Sequence, residues 1–194
     1  MTGDTLTLRP AEPSDTEALD RLFGQSYPIL LKPDYPPSVL VTAVPLISKA
    51  QPALIASGTF FVICDGEDIV GAGGWTMQAP GGKPGMRGIG HIRHVVTDHR
   101  RTREGIGGRL MEHIILHAHA CGMMQLHCQS TRTAVPFYES MGFVAEGEID
   151  IELRPGISFP AVFMKRLLAW VDLSHGAVTP FGVDLRSSQW RALC

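Results

Sequence analysis

The sequence predicts one α/β domain of the α+β kind, a sheet flanked by helices, with a short C-terminal extension. Three observations carry this expectation. Strand-like alternation and helical spacing take turns along the chain instead of segregating into halves. Residues 59–64 and 69–77 are strand-like and are joined by Asp65-Gly66-Glu67-Asp68, a turn that makes them a hairpin. Residues 105–121 keep Ile106, Leu110, Ile114, Ala118 and Cys121 along one face of a long helix.

The elements follow in order. Residues 5–9 alternate apolar and polar and read as a first strand. Pro13 and then Ser14-Asp15-Thr16-Glu17 give a capping-box pattern ahead of Ala18, Leu19, Leu22 and Phe23, so a first helix runs to about Ser26. Pro28, Pro33, Pro36 and Pro37 break the chain into a loop. Residues 39–50 supply a second helix, which Pro45 bends or shortens. After the hairpin come a glycine-rich loop at 81–85 and a strand at 91–97. Gly122 is placed to cap the long helix. Residues 125–130 form a strand, 133–141 a short helix with Pro136 in its first turn, and 143–149 and 162–167 complete the sheet. The domain is therefore set at residues 1–168, and the extension at 169–194 has too little periodicity to assign.

The bulk properties bound the function. A chain of 194 residues with 44% hydrophobic and 19% charged residues suits one well-packed globular domain. The net charge of -2, without a lysine- or arginine-rich stripe, argues against nucleic acid as a partner. No apolar run reaches the ~20 residues of a membrane-spanning helix, and the N-terminus lacks a secretory pattern. Cys64, Cys121, Cys128 and Cys194 are scattered, which suits reduced thiols. The expectation is a cytoplasmic protein with no membrane partner, monomeric or homodimeric.

The sharpest local feature is Arg103-Glu104-Gly105-Ile106-Gly107-Gly108-Arg109-Leu110, which follows a strand and opens the long helix. The first turn of a helix has amides without intrahelical acceptors, and its dipole favours an anion there. Glycines remove side chains that would hold a diphosphate away, and Arg103 adds a charge contact. A P-loop needs Lys-Ser/Thr after its glycines, where Arg109-Leu110 stands. A dinucleotide fingerprint needs a third glycine where Leu110 stands.

Three segments taken together identify a family resemblance. His91-Ile92-Arg93-His94-Val95-Val96-Thr97, the turn at Arg103-Glu104-Gly105-Ile106-Gly107, and Phe137-Tyr138-Glu139-Ser140-Met141-Gly142-Phe143 resemble the GNAT superfamily of acetyl-CoA-dependent N-acetyltransferases. The resemblance covers about residues 5–165 and implies a mixed, mostly antiparallel central sheet with a V-shaped split that admits acetyl-CoA as co-substrate. Two positions depart from the family pattern. Thr102 stands where Gln or Arg is usual, and Thr131 where asparagine is frequent.

The resemblance implies roles for particular residues. Cofactor contacts fall on Val95, Val96 and Thr97, on Thr102, Arg103, Glu104, Gly105, Ile106, Gly107 and Gly108, and on Thr131 and Tyr138. Tyr138 matches the tyrosine that protonates the leaving thiolate, and an unperturbed tyrosine, titrating near ~10, holds its proton at neutral pH. His91, His94 or an ordered water is the base. Strand parity sets the two histidines on opposite faces. Tyr27 and Tyr35 border the acceptor groove, and Trp75 is either core or groove wall. His113 and His117 have the four-residue spacing of a metal clamp, but neither an intervening Glu nor a third ligand is evident, so no metal is expected. The implied reaction is acetyl transfer to a primary amine of a small molecule, peptide or protein by direct attack in a ternary complex. The alternative is an acyl-CoA-binding sensor without catalysis.

Overall fold

This computed structural model describes residues 6–168; the 169–194 extension lies outside the described residues. Seven strands form a single sheet: β1 (Leu6–Pro10), β2 (Phe60–Asp65), β3 (Asp68–Thr76), β4 (Ile89–Thr97), β5 (Gln125–Ser130), β6 (Val144–Arg154) and β7 (Ile157–Leu167). Their spatial order is β1-β2-β3-β4-β5-β7-β6. All neighbours are antiparallel except β4 and β5. The mixed, mostly antiparallel sheet flanked by helices is therefore the observed architecture.

One helix covers one face. α5 (Ile106–Ala120) packs Ile106, Leu110, Met111, Ile114 and Ala118 against Phe61, Ile63, Trp75, Ile92 and Leu126. The other face is covered by α1 (Thr16–Leu31) and three short helices, α2 (Pro37–Thr42), α3 (Val44–Ile47) and α4 (Pro52–Ile55). There Leu19, Phe23, Leu31, Val44 and Leu54 meet Phe60, Val62, Ala72 and Val96. β2 is buried along Phe60–Cys64 because both faces are covered, which explains its unbroken apolar run.

Differences from expectation have local causes. α1 continues through Pro28 to Leu31, because its buried stripe runs on through Tyr27 to Leu31 and the residue facing the proline ring one turn back is Gly24. The single helix expected at 39–50 is split into α2 and α3, with Pro45 opening α3, and Pro52 opens α4. Ahead of α1 the box closes earlier than the Ser14–Glu17 pattern. The Asp15 carboxylate accepts from the Glu12 N–H at 2.7 Å and takes a two-pronged bond from Arg9 at 2.7 Å each. Cys64 and Cys128 are free thiols, whereas Cys121 is disulfide-bonded, so the expectation of reduced cysteines holds for the first two only.

Two helices stop by the same device. After α5, Gly122 takes φ 81°, with Gly122 N–H bonding His119 O and Met123 N–H bonding Ala118 O. After α6 (Val135–Ser140), Gly142 takes φ 80°, and Phe143 N–H returns to Tyr138 O at 3.0 Å. The Phe143 and Tyr138 rings then pack with centroids 5.4 Å apart, the contact that completes this C-cap. The Phe-Tyr-x-x-x-Gly-Phe motif is thus a helix stop that fixes where Tyr138 points.

Candidate active site

The site is a gap in the sheet. β4 and β5 pair only at Ile89–Gln125, Gly90–Leu126 and His91–His127. Beyond His91 the strands part, and Val95, Val96 and Thr97 line the opening. Val96 and Thr97 still pair with Ala72 and Gly71 on the β3 side, so β4 keeps one paired edge and turns the other to the split. A cavity of about 1370 Å³ runs through it, larger than a pocket for one small molecule and suited to two substrates.

A bulge shapes β4. Its register against β3 slips between Ala72 and Gly74, and His94 takes a left-handed φ of 44°. Gly73 faces this bulge, and a Cβ there would lie 2.8 Å from Val95 Cγ2 and 2.9 Å from its Cα. The bulge breaks strand parity. Ile92 and Val95 face α5, while His94 stacks on Phe23 of α1 with ring centroids 5.5 Å apart. His91, Arg93 and His94 therefore share the α1 face, correcting the expectation that the two histidines point oppositely.

Four side chains converge where the two faces meet. Tyr138 and Cys128 come from the α5 side, Tyr27 and His94 from the α1 side, and all four line the cavity. The Tyr138 hydroxyl and Cys128 thiol are near enough to influence each other's titration. Burial raises the Tyr138 pKa well above that of a free tyrosine and pushes Cys128 up to about 12, so both hold their protons. Burial also raises Tyr27. Burial first, and the Arg93 charge second, bring His94 down to about 4, so its ring is neutral at pH 7. His94 Nδ1 lies 3.3 Å from Tyr27 Oη, and Nε2 lies 3.3 Å from Gln51 Nε2. With the Gln51 amide donating to Nε2, the ring proton sits on Nδ1 and is donated to Tyr27 Oη.

At the other end, Arg103 and Gly105 adopt left-handed φ values of 70° and 79°, the backbone habit of anion-binding nests. The first intrahelical bond of α5 runs from Arg109 N–H to Gly105 O at 3.0 Å, leaving the amides of Ile106, Gly107 and Gly108 without a helical acceptor. A Cβ on Gly105 or Gly108 would meet nothing within 4 Å, so open space lies before those amides. Arg100 is held by Asp98, and Arg101 by Asp65 and Glu104. Arg103 has no ion pair among the described residues and is exposed at the cavity lining. An amide cradle with one uncommitted cation fits the diphosphate of a coenzyme A thioester.

The remaining sequence-derived candidates divide. Thr102 and Thr131 line the cavity, but Thr131 Oγ1 is engaged in accepting the Ala134 N–H at 3.2 Å. Glu104 does not line it, because its carboxylate turns to Arg101 at 2.8 Å. His91 sits outside the main cavity, edge-on to His127 at 5.4 Å beside a smaller space of about 110 Å³. Trp75 is core: it is 1% exposed and donates from Nε1 to His117 Nδ1 at 3.1 Å. Tyr35 is a tie rather than a groove residue. Its hydroxyl donates to Pro160 O and accepts from Arg132 N–H, each at 2.8 Å. His113 and His117 are both buried in the core. Sequence reasoning missed Cys128, Gln51 and Arg93. For Arg93 a signal existed, a lone arginine in an otherwise uncharged strand segment.

Such a split sheet, with open helix-start amides at one end and a buried tyrosine at its waist, has the form of an acyl-CoA-dependent transferase. The model of the acetyltransferase (GNAT) domain family matches residues 33–159, and the chain belongs to that family. It is an acyltransferase of the N-acetyltransferase class. No curated protein sequence matches it. Among solved structures, it is similar to a GCN5-related N-acetyltransferase from Rhodopseudomonas palustris at 20% identity, covering 87% of this chain and 99% of that one with a TM-score of 0.68. It is also similar to the PaiA N-acetyltransferase from Thermoplasma acidophilum in complex with coenzyme A, at 13% identity, 84% and 99% coverage and a TM-score of 0.63. A third is N-acetylglutamate synthase from Neisseria gonorrhoeae complexed with coenzyme A and N-acetyl-glutamate. It is 17% identical and has a TM-score of 0.58, with coverage of 85% of this chain and 35% of that longer one. These likenesses are of fold.

Proposed function

We propose that this protein transfers an acetyl group from acetyl-CoA to a primary amine by direct attack within the β4–β5 split. The observation that carries the proposal is the meeting of Tyr138 and Cys128 with Tyr27 and His94 in one cavity that ends at the open amides of Ile106, Gly107 and Gly108. Bound acetyl-CoA supplies an activated acyl carbon and a thiolate leaving group.

The chain's own residues do the rest. The amides of 106–108 and Arg103 hold the diphosphate, and the free edge of β4 at Val95, Val96 and Thr97 orients the pantetheine arm and polarises the thioester carbonyl. Tyr138 holds its proton at working pH and donates it to the departing sulfur. His94 is the one imidazole lining this cavity among the described residues. With a pKa near 4 it is too weak to strip a free ammonium, so it serves after nitrogen has bonded to the acyl carbon, when that N–H has become far more acidic. His91 does not share the cavity and is not assigned as base. The acceptor enters from the α1 side, past Tyr27 and Gln51.

The test is release of free CoA from acetyl-CoA in the presence of a panel of primary amines. The expected result is amine-dependent release with N-acetylated product detected by mass. Tight binding of acetyl-CoA with no release for any amine would instead favour the sensor.

A further inference from the structure

The charges along the acceptor half of the cavity do not balance. Arg93 is half-buried in the wall beside His94, and its side chain's one hydrogen bond among the described residues runs from Nη1 to Thr76 Oγ1 at 3.2 Å. It has no carboxylate partner among the described residues, in contrast to Arg9, Arg100, Arg101 and Arg132, each paired to an acid. A half-buried guanidinium with one side-chain hydrogen bond keeps its remaining N–H donors on the solvent side, where a ligand can replace the water they face. Its charge helps lower the pKa of both the His91 and His94 rings, after burial in each case.

The surroundings narrow the ligand. Among the charged residues lining the cavity, Arg101 is neutralised by Asp65 and Glu104, Arg103 belongs to the amide cradle, and the exposed Glu152 is the one acid. In the small space beside it, Lys83 is the one charged group. The rest of the acceptor wall carries no charge: Leu30, Leu46, Ile47 and Leu54 make it largely apolar, with Gln51, Ser57 and Gln78 as neutral polar members. An arginine whose Nη1 is engaged by Thr76 still presents its Nε–Nη2 edge, the fork that matches a carboxylate. The β4 bulge sets Arg93 and His94, consecutive residues, on one face. One carbon separates the amine and carboxylate of an α-amino acid, so the two groups match consecutive strand positions.

We infer that the acceptor is an α-amino acid with an apolar side chain, its carboxylate held by Arg93 and its amine presented beside His94. This rests on the acetyltransferase reading above and names the substrate of the same site. Arg93 is a specificity residue and takes no proton.

The experiment compares acetylation of L-leucine, L-methionine and L-phenylalanine with that of their primary amides, which keep the amine and side chain and lose the charge. Wild type should favour the acids by about 10- to 100-fold in kcat/KM, the value of a charge-assisted bond pair. Arg93→Gln should erase that preference, Arg93→Lys should restore part of it, and calorimetry should show CoA affinity unchanged in both. Amides acetylated as well as acids overturn the inference while the transferase stands, and so does equal loss on both series in Arg93→Gln. Transfer to amines outside both series but to none within them also overturns it. A wild type without affinity for CoA removes the inference and the transferase reading together.

Discussion

Gly108→Ala separates the needs of the fold from those of the cofactor. Gly108 is the third residue of α5, and a Cβ built there touches nothing within 4 Å, so the fold has no use for glycine at that point. Replacing a helical glycine by alanine should stabilise the protein by up to about 0.5–1 kcal/mol. A helical Cα–Cβ bond tilts toward the helix N-terminus, so the new methyl group projects into the space before the amides of 106–108. There it holds a diphosphate away from one or two charge-assisted hydrogen bonds, each worth about 1.5–3 kcal/mol. The expected result is a CoA affinity weaker by roughly 10- to 10,000-fold in a protein whose urea midpoint is unchanged or higher. Titration calorimetry with CoA and a denaturation curve read both signs. Gly105→Ala is the contrasting variant. At φ 79° an L-residue is strained by about 1–2 kcal/mol, so this change should lower stability. Undiminished CoA affinity in a folded Gly108→Ala protein would refute the reasoning, because the amides at 106–108 would then not be the diphosphate seat.

Tyr138→Phe should reduce kcat by about 100-fold or more with CoA affinity nearly intact, measured by thiol release and calorimetry; unchanged turnover removes Tyr138 as the acid. Tyr35→Phe should cost about 1–3 kcal/mol, because Arg132 N–H and Pro160 O lose a buried partner, with kcat unaltered; a loss of turnover without a loss of stability would return Tyr35 to the groove. Stability should fall on acidification. His94 titrates near 4 in the fold against 6.5 unfolded, so its contribution is whole above about 6.5 and is lost as pH falls toward 4. After allowance for partial exposure, that loss is on the order of 2 kcal/mol. His113, brought down to about 3 by burial, acts in the same direction, so His94→Gln should flatten only part of the slope of urea midpoint against pH. An identical slope in that variant would show the His94 ring to be ordinary.

Periodicity made the strand and helix order legible, and Gly122 made the end of α5 legible, because each is a local rule that neighbouring residues satisfy on their own. α1 was read too short because proline is a local signal and the buried stripe that carries the helix past Pro28 is a tertiary one. The open amides of the glycine turn were legible because free amides follow from any helix start. Glu104 could not be placed, since its direction depends on Arg101, which is itself pulled toward Asp65 across the sheet edge.

The side-chain constellation was the least legible part, and the β4 bulge is why. Parity puts His91 and His94 on opposite faces; one inserted residue reverses that and brings His94 beside Phe23 and Tyr27. No residue type in His91–Thr97 announces a bulge. Its requirement is visible on the partner strand, where Gly73 leaves room for the Val95 backbone. A side chain at Gly73 would push β4 away and return His94 and Arg93 to ordinary alternation. Gly73 of β3 thus does for the proposed acceptor half what the glycines of the α5 turn do for the proposed cofactor half: it holds open a backbone geometry in which side chains from both faces of the sheet line one cavity.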